Sequence, residues 1–495
     1  MTASEAQPLL PPRHVEQTPL PKIKLAVVFA LKLLIPVGSS QASPYINQRL
    51  EQILGGSANV GYYTGLVSSS YSIAQMLGMY PWARLSDRIG RRPVVLLGSV
   101  GIALCTFVFG FVDSLWGIVA IRFLTGIFCG TTGAMHAIVG ELTDETNQST
   151  AFPLYDIIAA LGFMVGPLIG GTFVNPVAEH ADWTWITRLG LRDLFTAYPY
   201  LLPNAIISAY ALFTVALASG ILDETLPSRK EVQQTQSHSS SSAPGEDTVV
   251  VADEELKENT TLSAWQMLRI PVIRSISVAT FLLGFLGSGF NLSVVLMSYA
   301  KVSHGGLGLS PQQIGIAMSI MGGLSIFLKL NLTWILRPSP HSRQTVSQKL
   351  NSLFAHTMAA WPFTFFGFAV LGWIARAGVD GARSGLIWTV LSIVLFLSRI
   401  GCLPFTLVML LVKENSPTPA SLGTLNGLTE LIQAISTVIS PALIGSLFAF
   451  SNNYHVLGGY FWAAFYVACS IFAAVVAARI EKQHVEADAP ARVEA

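Results

Sequence analysis

The chain reads as an all-α membrane protein of 12 transmembrane helices in two six-helix pseudo-symmetric bundles, and three observations predict this. Apolar residues make up 52% of its 495 residues and charged residues 12%, with a mean hydropathy of +0.54. That leaves too little polar surface to coat a water-soluble globule. Apolar runs long enough to cross a hydrocarbon core, roughly twenty residues each, recur along the whole chain, and the second group of six repeats features of the first.

The spans fall at 25–46, 62–82, 93–112, 115–137, 152–174 and 199–220, then at 272–300, 311–335, 353–375, 385–411, 421–449 and 457–478. Residues 1–24 are polar and proline-rich and read as a disordered cytoplasmic amino terminus. No cleavable signal peptide stands there, so the first span acts as its own insertion signal. Spans one to six make an amino-terminal bundle (25–220) and spans seven to twelve a carboxyl-terminal bundle (272–478). The stretch 221–271 between them carries Ser239 to Ser242, Pro244, Gly245 and the acidic run Asp253, Glu254, Glu255. Such a composition cannot bury a core and marks a cytoplasmic linker. Residues 479–495 form a cytoplasmic tail. Cys105, Cys129, Cys402 and Cys469 all fall within apolar runs without a C-x-x-C pairing and read as small core residues.

Orientation follows from the cations, because basic loops stay on the cytoplasmic side. With both termini and the linker in the cytosol, 19 of the 29 Lys and Arg lie inside, six lie in outer loops, and Lys32, Arg122, Lys329 and Arg399 lie within spans. A net charge of +1 argues against nucleic acid, which needs a concentrated basic face.

The internal repeat is clearest in spans five and eleven. Asp156 precedes Pro167 by eleven residues, and Glu430 precedes Pro441 by the same interval. Arg122 in span four and Arg399 in span ten are a second matched pair. Two related halves that handle a substrate near mid-membrane are how secondary transporters are built. No metal cluster, nucleophile triad or phosphate-binding loop points to an enzyme, a metal or a cofactor.

The run Ala83 to Leu96, of the form A-x-L-x-D-R-x-G-R-R-P-x-x-L, resembles the loop two to three signature of the major facilitator superfamily, with Ala83 in place of the family's first glycine. The resemblance implies that Asp87, Arg88, Arg91 and Arg92 latch the cytoplasmic helix ends, with Gly90 allowing the tight turn. Gly162, Gly166, Pro167, Gly170 and Gly171 resemble the G-x-x-x-G-P-x-x-G-G signature of the drug:proton antiporter branch, which implies export driven by proton entry. Arg122 and Gly126 resemble the family's R-x-x-x-G element. Trp82, Asp87 and Gly90 to Arg92, with the span-five motif, resemble the zinc-induced facilitator-like group and its fungal relatives, whose members are linked to export of organic chelators or drugs. Ser39 and Ser40 replace that group's cysteine pair, and His238 alone stands in for its histidine-rich loop, so zinc itself is not expected.

Charges inside a membrane are costly unless paired or wet, which makes the embedded ones candidates for function. Asp156 and Glu430 are the expected proton carriers, with Arg122, Arg399 and His136 as further proton-coupling candidates and Glu141 as a weaker one. Arg122 should meet an acid such as Asp156, Glu141 or Asp113. Lys32 and Lys329 are expected to snorkel. Gln41, Tyr45, Asn291, Trp361, Asn426 and Gln433 are candidates for the substrate cavity on chemistry alone, with ordinary packing as the competing reading of each. Glu5, Leu9 and Leu10 fit an acidic dileucine pattern that implies sorting adaptors and leaves plasma and vacuolar membrane both open. The sequons at Asn147, Asn259, Asn291 and Asn331 fall in cytoplasmic or membrane segments and should carry no glycan. The expected function is a proton-coupled antiporter exporting a small organic compound, such as a secondary metabolite, drug or chelator. Uptake of a nutrient by proton symport, or a non-transporting receptor on the same fold, remain alternatives.

Overall fold

A computed structural model of the chain describes residues 18–56, 59–144, 146–180, 182–226, 263–335, 346–377, 381–418 and 421–488. Glu5, Leu9, Leu10, His238 and the serine and acidic runs of the linker lie outside the described residues.

The helices follow the apolar runs, because a backbone in hydrocarbon must satisfy its own hydrogen bonds. The first six are α1 (Lys22–Ser40), α2 (Val60–Ile89), α3 (Arg91–Phe109), α4 (Leu115–Cys129, continued by Thr132–Leu142), α5 (Gln148–Phe173) and α6 (Leu201–Ile221). The second six are α7 (Pro271–Tyr299), α8 (Pro311–Ile335), α9 (Val346–Met358, continued by Ala360–Arg376), α10 (Gly381–Cys402, continued by Pro404–Glu414), α11 (Leu422–Tyr454) and α12 (Phe461–Asp488). Eleven of them are long and apolar enough to cross a membrane, and α2 is the exception. Its Ser68, Tyr71 and Ser72 face a cavity and its last turns are charged, so it gains less from lipid than its neighbours do. The expected loop at 83–92 is also shorter than the residue pattern suggested. Helix α2 continues through Asp87 and Arg88 to Ile89, and the turn is Gly90 alone, at a φ of 108°, a value that favours glycine.

One face of the molecule, the tail face, gathers the first described residues and the stretch that follows α6. Lys24 pairs with Asp223 at 2.6 Å, the Arg91 amide donates to Glu224 at 2.8 Å, and Thr18 meets Asp144 and Asn147. On the opposite face the two halves touch. Asn47, in the short helix Ile46–Ile53, donates to the Val295 carbonyl at 3.1 Å and accepts from Thr64 at 2.7 Å. Glu51 accepts from Tyr299 and lies 3.8 Å from Lys301.

The seam between the halves is built twice from the same parts. A Cβ on Gly65 of α2 would stand 2.5 Å from the Pro441 carbonyl and 3.2 Å from Gly445 Cα of α11. A Cβ on Gly315 of α8 would stand 2.5 Å from the Pro167 carbonyl and 3.2 Å from Gly171 Cα of α5. One turn along each helix, Ser69 donates to the Val438 carbonyl at 2.8 Å and Ser319 to the Met164 carbonyl at 2.7 Å. Each acceptor lies three residues before a helix-interior proline. The ring of proline disturbs the preceding turn and turns its carbonyls outward, and a nearby hydroxyl re-satisfies them. The pseudo-twofold relation expected from the Asp-Pro and Glu-Pro repeat is thus visible as matched backbone contacts.

The seam allows no side chain at either glycine. Gly65→Leu or Gly315→Leu should therefore keep the halves apart on the face opposite the tails while leaving each half folded. Labelling of the cavity residue Cys402 by a membrane-impermeant thiol reagent applied from that face is expected to rise several-fold, and unchanged labelling would contradict the seam.

Candidate functional site

Between the halves lies a cavity of about 530 Å³, a size suited to a small organic molecule. The first half contributes Ser39, Thr64, Tyr71, Arg122, Asp156 and Phe163, and the second contributes Asn291, Met318, Lys329, Arg399, Phe405 and Gln433. Most of this lining is apolar or neutral and polar, so the four charged groups dominate its chemistry.

Asp156 of α5 accepts from Lys329 of α8 at 2.6 Å, a bond that crosses from one half to the other. Lys329 does not snorkel, because this carboxylate lies within its reach. Lys32 does not either. It is buried on α1 with its ammonium 4.4 Å from the centre of the Tyr155 ring. Lys32 and Asp156 belong to the first half, and Glu430 and Lys329 to the second. Of these four, Asp156 and Lys329 are the two within ion-pair distance. Reading the lysines singly missed this arrangement; the available signal was the presence of a cation in each half beside an acid–proline repeat.

Arg122 and Arg399 both line the cavity, but Arg122 meets none of the acids expected for it. Its Nη1 donates to the Ser39 carbonyl at 3.2 Å, and its guanidinium lies 5.1 Å from the Phe109 ring. The acids are engaged elsewhere or lie elsewhere: Asp156 holds Lys329 and Glu141 holds Arg91. Gly126, one turn beyond Arg122, lets α4 press against the α2 backbone at Tyr71 and Gln75. Arg399 donates from Nε to Ser398 Oγ at 3.1 Å and lies 5.7 Å from the Phe290 ring.

Asn291 and Gln433 stand in the cavity wall, whereas Gln41, Tyr45, Trp361 and Asn426 do not line it. Gln41 and Tyr45 close a triangle with Asn204 of α6, with bonds of 2.7, 2.9 and 3.0 Å, and Tyr45 stacks on Tyr200. Their hydrogen-bonding capacity is spent inside the first half. Trp361 is wholly buried against Phe290 and Phe365, behind the ring that carries Arg399. Asn426 is exposed on α11, one turn before Glu430. His136 packs against the Tyr155 ring, 4.7 Å between centres, and is also absent from the wall.

The span-five glycines divide into two faces. Cβ atoms on Gly162, Gly166 and Gly170 would collide with Pro36, Val37, Ser40 and Gln41 of α1, whereas one on Gly171 would collide with α8. This motif is where α5 contacts its own half and the other half at once.

At the tail face, Arg91 is the centre of the charge cluster. Its guanidinium reaches Asp87 at 2.6 Å, Ser86 at 3.2 Å and Glu141 at 3.1 Å, joining α2, α3 and α4. Arg92 donates to the Ser219 carbonyl of α6. Glu224, unremarked in the sequence, accepts from the amides of Arg91, Thr225 and Leu226 and fills the space beside Gly90 where a Cβ would go. These contacts of Arg91 and Arg92 all lie within the first half.

A family model described as Major Facilitator Superfamily matches residues 28–441. The chain is 32% identical over 482 residues to the major facilitator-type transporter psiT2 of Psilocybe cubensis, covering 92% of this chain and 89% of that protein. It is 26% identical over 480 residues to the efflux pump azaK of Aspergillus niger, covering 93% and 91%. Its fold is similar to the crystal structure of a bacterial homologue of the human lysosomal transporter Spinster in an inward-facing and unoccupied conformation. That likeness has a TM-score of 0.63 at 14% identity and covers 94% of this chain and 99% of that one.

The two arms of Arg91 should differ in worth. The Asp87 side chain is 64% exposed, while Glu141 is 18% exposed. Exposed pairs contribute under about 1 kcal/mol, whereas removing one partner of a largely buried pair costs about 1–3 kcal/mol. Thermal unfolding in detergent micelles should accordingly show Glu141→Ala clearly less stable than Asp87→Ala, and equal midpoints would refute the ranking.

Proposed function

The chain belongs to the Major Facilitator Superfamily and is a membrane transporter; from that premise we propose that it is a proton-coupled antiporter that exports a small organic compound from the cytosol. The observation that carries the reading is the 2.6 Å Asp156–Lys329 pair, which joins the two halves from inside the cavity they share. Protonation of Asp156 removes the charge that holds Lys329, so one proton changes both the bond between the halves and the charge balance of the cavity. A ligand or proton moves a two-state equilibrium only by interacting differently with the two states, and a bond between moving halves meets that requirement. The Asp156 side chain is 48% exposed and Lys329 26%, which holds the bridge to on the order of 1 kcal/mol. That still shifts an equilibrium about fivefold.

Glu430 is the second proton carrier in this reading, as the counterpart of Asp156 in the acid–proline repeat. Arg122 and Arg399 act as fixed positive charge in this reading. His136 stays packed on Tyr155. The outward direction rests on the lysine and arginine bias that places the tails in the cytosol, and on the efflux activity named for the Aspergillus niger relative. The membrane involved, plasma or vacuolar, follows from sorting by the segment around Glu5, Leu9 and Leu10. The latch role of Asp87, Arg88, Gly90, Arg91 and Arg92 belongs to the same reading, as holding the first half rigid while it rocks against the second.

Reconstituted vesicles with an imposed pH difference test the coupling. A panel of small organic solutes should include one that the wild-type protein accumulates into acid-loaded vesicles as protons leave. Asp156→Asn should still exchange that solute, with its gradient-driven accumulation reduced about tenfold or more. Wild-type accumulation that is indifferent to the pH difference would rule out antiport.

A further inference from the structure

We propose that the cargo is an organic anion, held between Arg122 of the first half and Arg399 of the second. This rests on reading the shared cavity as the cargo site. The charged groups of its wall are Arg122, Lys329, Arg399 and one carboxylate, Asp156, and that carboxylate is already taken by Lys329. Lys32 and Glu430, which are not in that lining, would add one charge of each sign and leave the balance unchanged. The wall thus carries a surplus of two positive charges, both guanidinium groups, one from each half.

Neither arginine is neutralised by the protein. Among the described residues, Arg122 and Arg399 form no ion pair with a carboxylate. Arg122 has one carbonyl acceptor, Arg399 has one hydroxyl acceptor, and each rests against a phenyl ring. Arg122 Nε and Arg399 Nη2 are buried without a hydrogen-bond partner. A guanidinium carries five N–H donors, and in a membrane interior such a charge is costly without a counterion. Two cations in one cavity with no anion of their own make a site for an anion supplied from outside. The planar guanidinium fork matches carboxylate and phosphate oxygens in particular. Phe163, Met318, Met321 and Phe405 in the same wall offer an apolar bed for the rest of the molecule, so the fitting chemistry is an apolar or aromatic body bearing a carboxylate or phosphate. An anion gripped by one arginine from each half also contacts both moving parts, as a transported molecule must if its binding is to bias their relative position.

The test is binding of naphthylacetate, naphthyl phosphate, naphthylmethylamine and naphthylacetamide, which share one apolar body and differ in charge, to full-length protein in phosphatidylcholine nanodiscs by calorimetry. The two anions should bind about tenfold or more tighter than the amine and the amide. Arg122→Gln and Arg399→Gln should each remove that advantage and leave the amide unchanged, while Arg122→Lys and Arg399→Lys should retain part of it. A wild-type protein that prefers the amine or the amide would overturn the proposal without any variant having to fold, as would Gln variants that bind the anions normally. Displacement of naphthylacetate by phosphatidylglycerol added to the nanodiscs would make a lipid headgroup the occupant and overturn it too. Binding is read without a pH gradient, so its failure leaves proton-coupled export standing. Loss of coupling with anion binding intact would have the opposite meaning.

Discussion

The close approach of two pairs of helix backbones organises this molecule. Gly65 lies against Pro441 and Gly445, and Gly315 lies against Pro167 and Gly171, with nearly the same separations in both places. Backbones come this near only where side chains are absent. In hydrocarbon, where burial of apolar side chains gives helices little reason to associate, such packing and the accompanying serine-to-carbonyl bonds supply much of the attraction. The polar walls face one another because these contacts fix where the halves meet. Further along the same helix pair, α5 and α8, the contact passes from glycine packing to the Asp156–Lys329 bond.

Inside the membrane spans charge is used sparingly, and one described ion pair crosses between the halves there. An acid on α5 meets a lysine on α8. Pairs confined to one half would stabilise that half equally in every arrangement of the two. A pair that crosses is sensitive to how the halves sit, and the proposed antiport rests on that sensitivity of Asp156 and Lys329. The two cavity arginines differ in kind, since aromatic rings and single neutral acceptors support them while no carboxylate does.

The tail-face cluster works on another scale. Arg91 gathers α2, α3 and α4, and the Glu224 carboxylate beside Gly90 extends the cluster past the end of α6. The more protected contact is with Glu141, fifty residues further along the chain, rather than with Asp87 in the motif itself.

The sequence alone determined the twelve spans, the division into two sixes, the repeat and the family, because hydropathy is a sum over neighbouring residues and motifs such as Gly90-Arg91-Arg92 or Gly166-Pro167 are local. It also identified Asp156, Arg122 and Arg399 as embedded charges, Asn291 and Gln433 as polar groups suited to a cavity, and Gly162 to Gly171 as a motif. Only the tertiary structure decided which partner each group takes. Asp156 and its lysine are 173 positions apart, Gln41 is closed off by Asn204 across 163, and Trp361 is buried behind Phe290 although its indole would suit a cavity equally well. A residue's chemistry is written at its own position, but a pairing energy depends on distance and burial, which helix packing sets between segments that share no local signal.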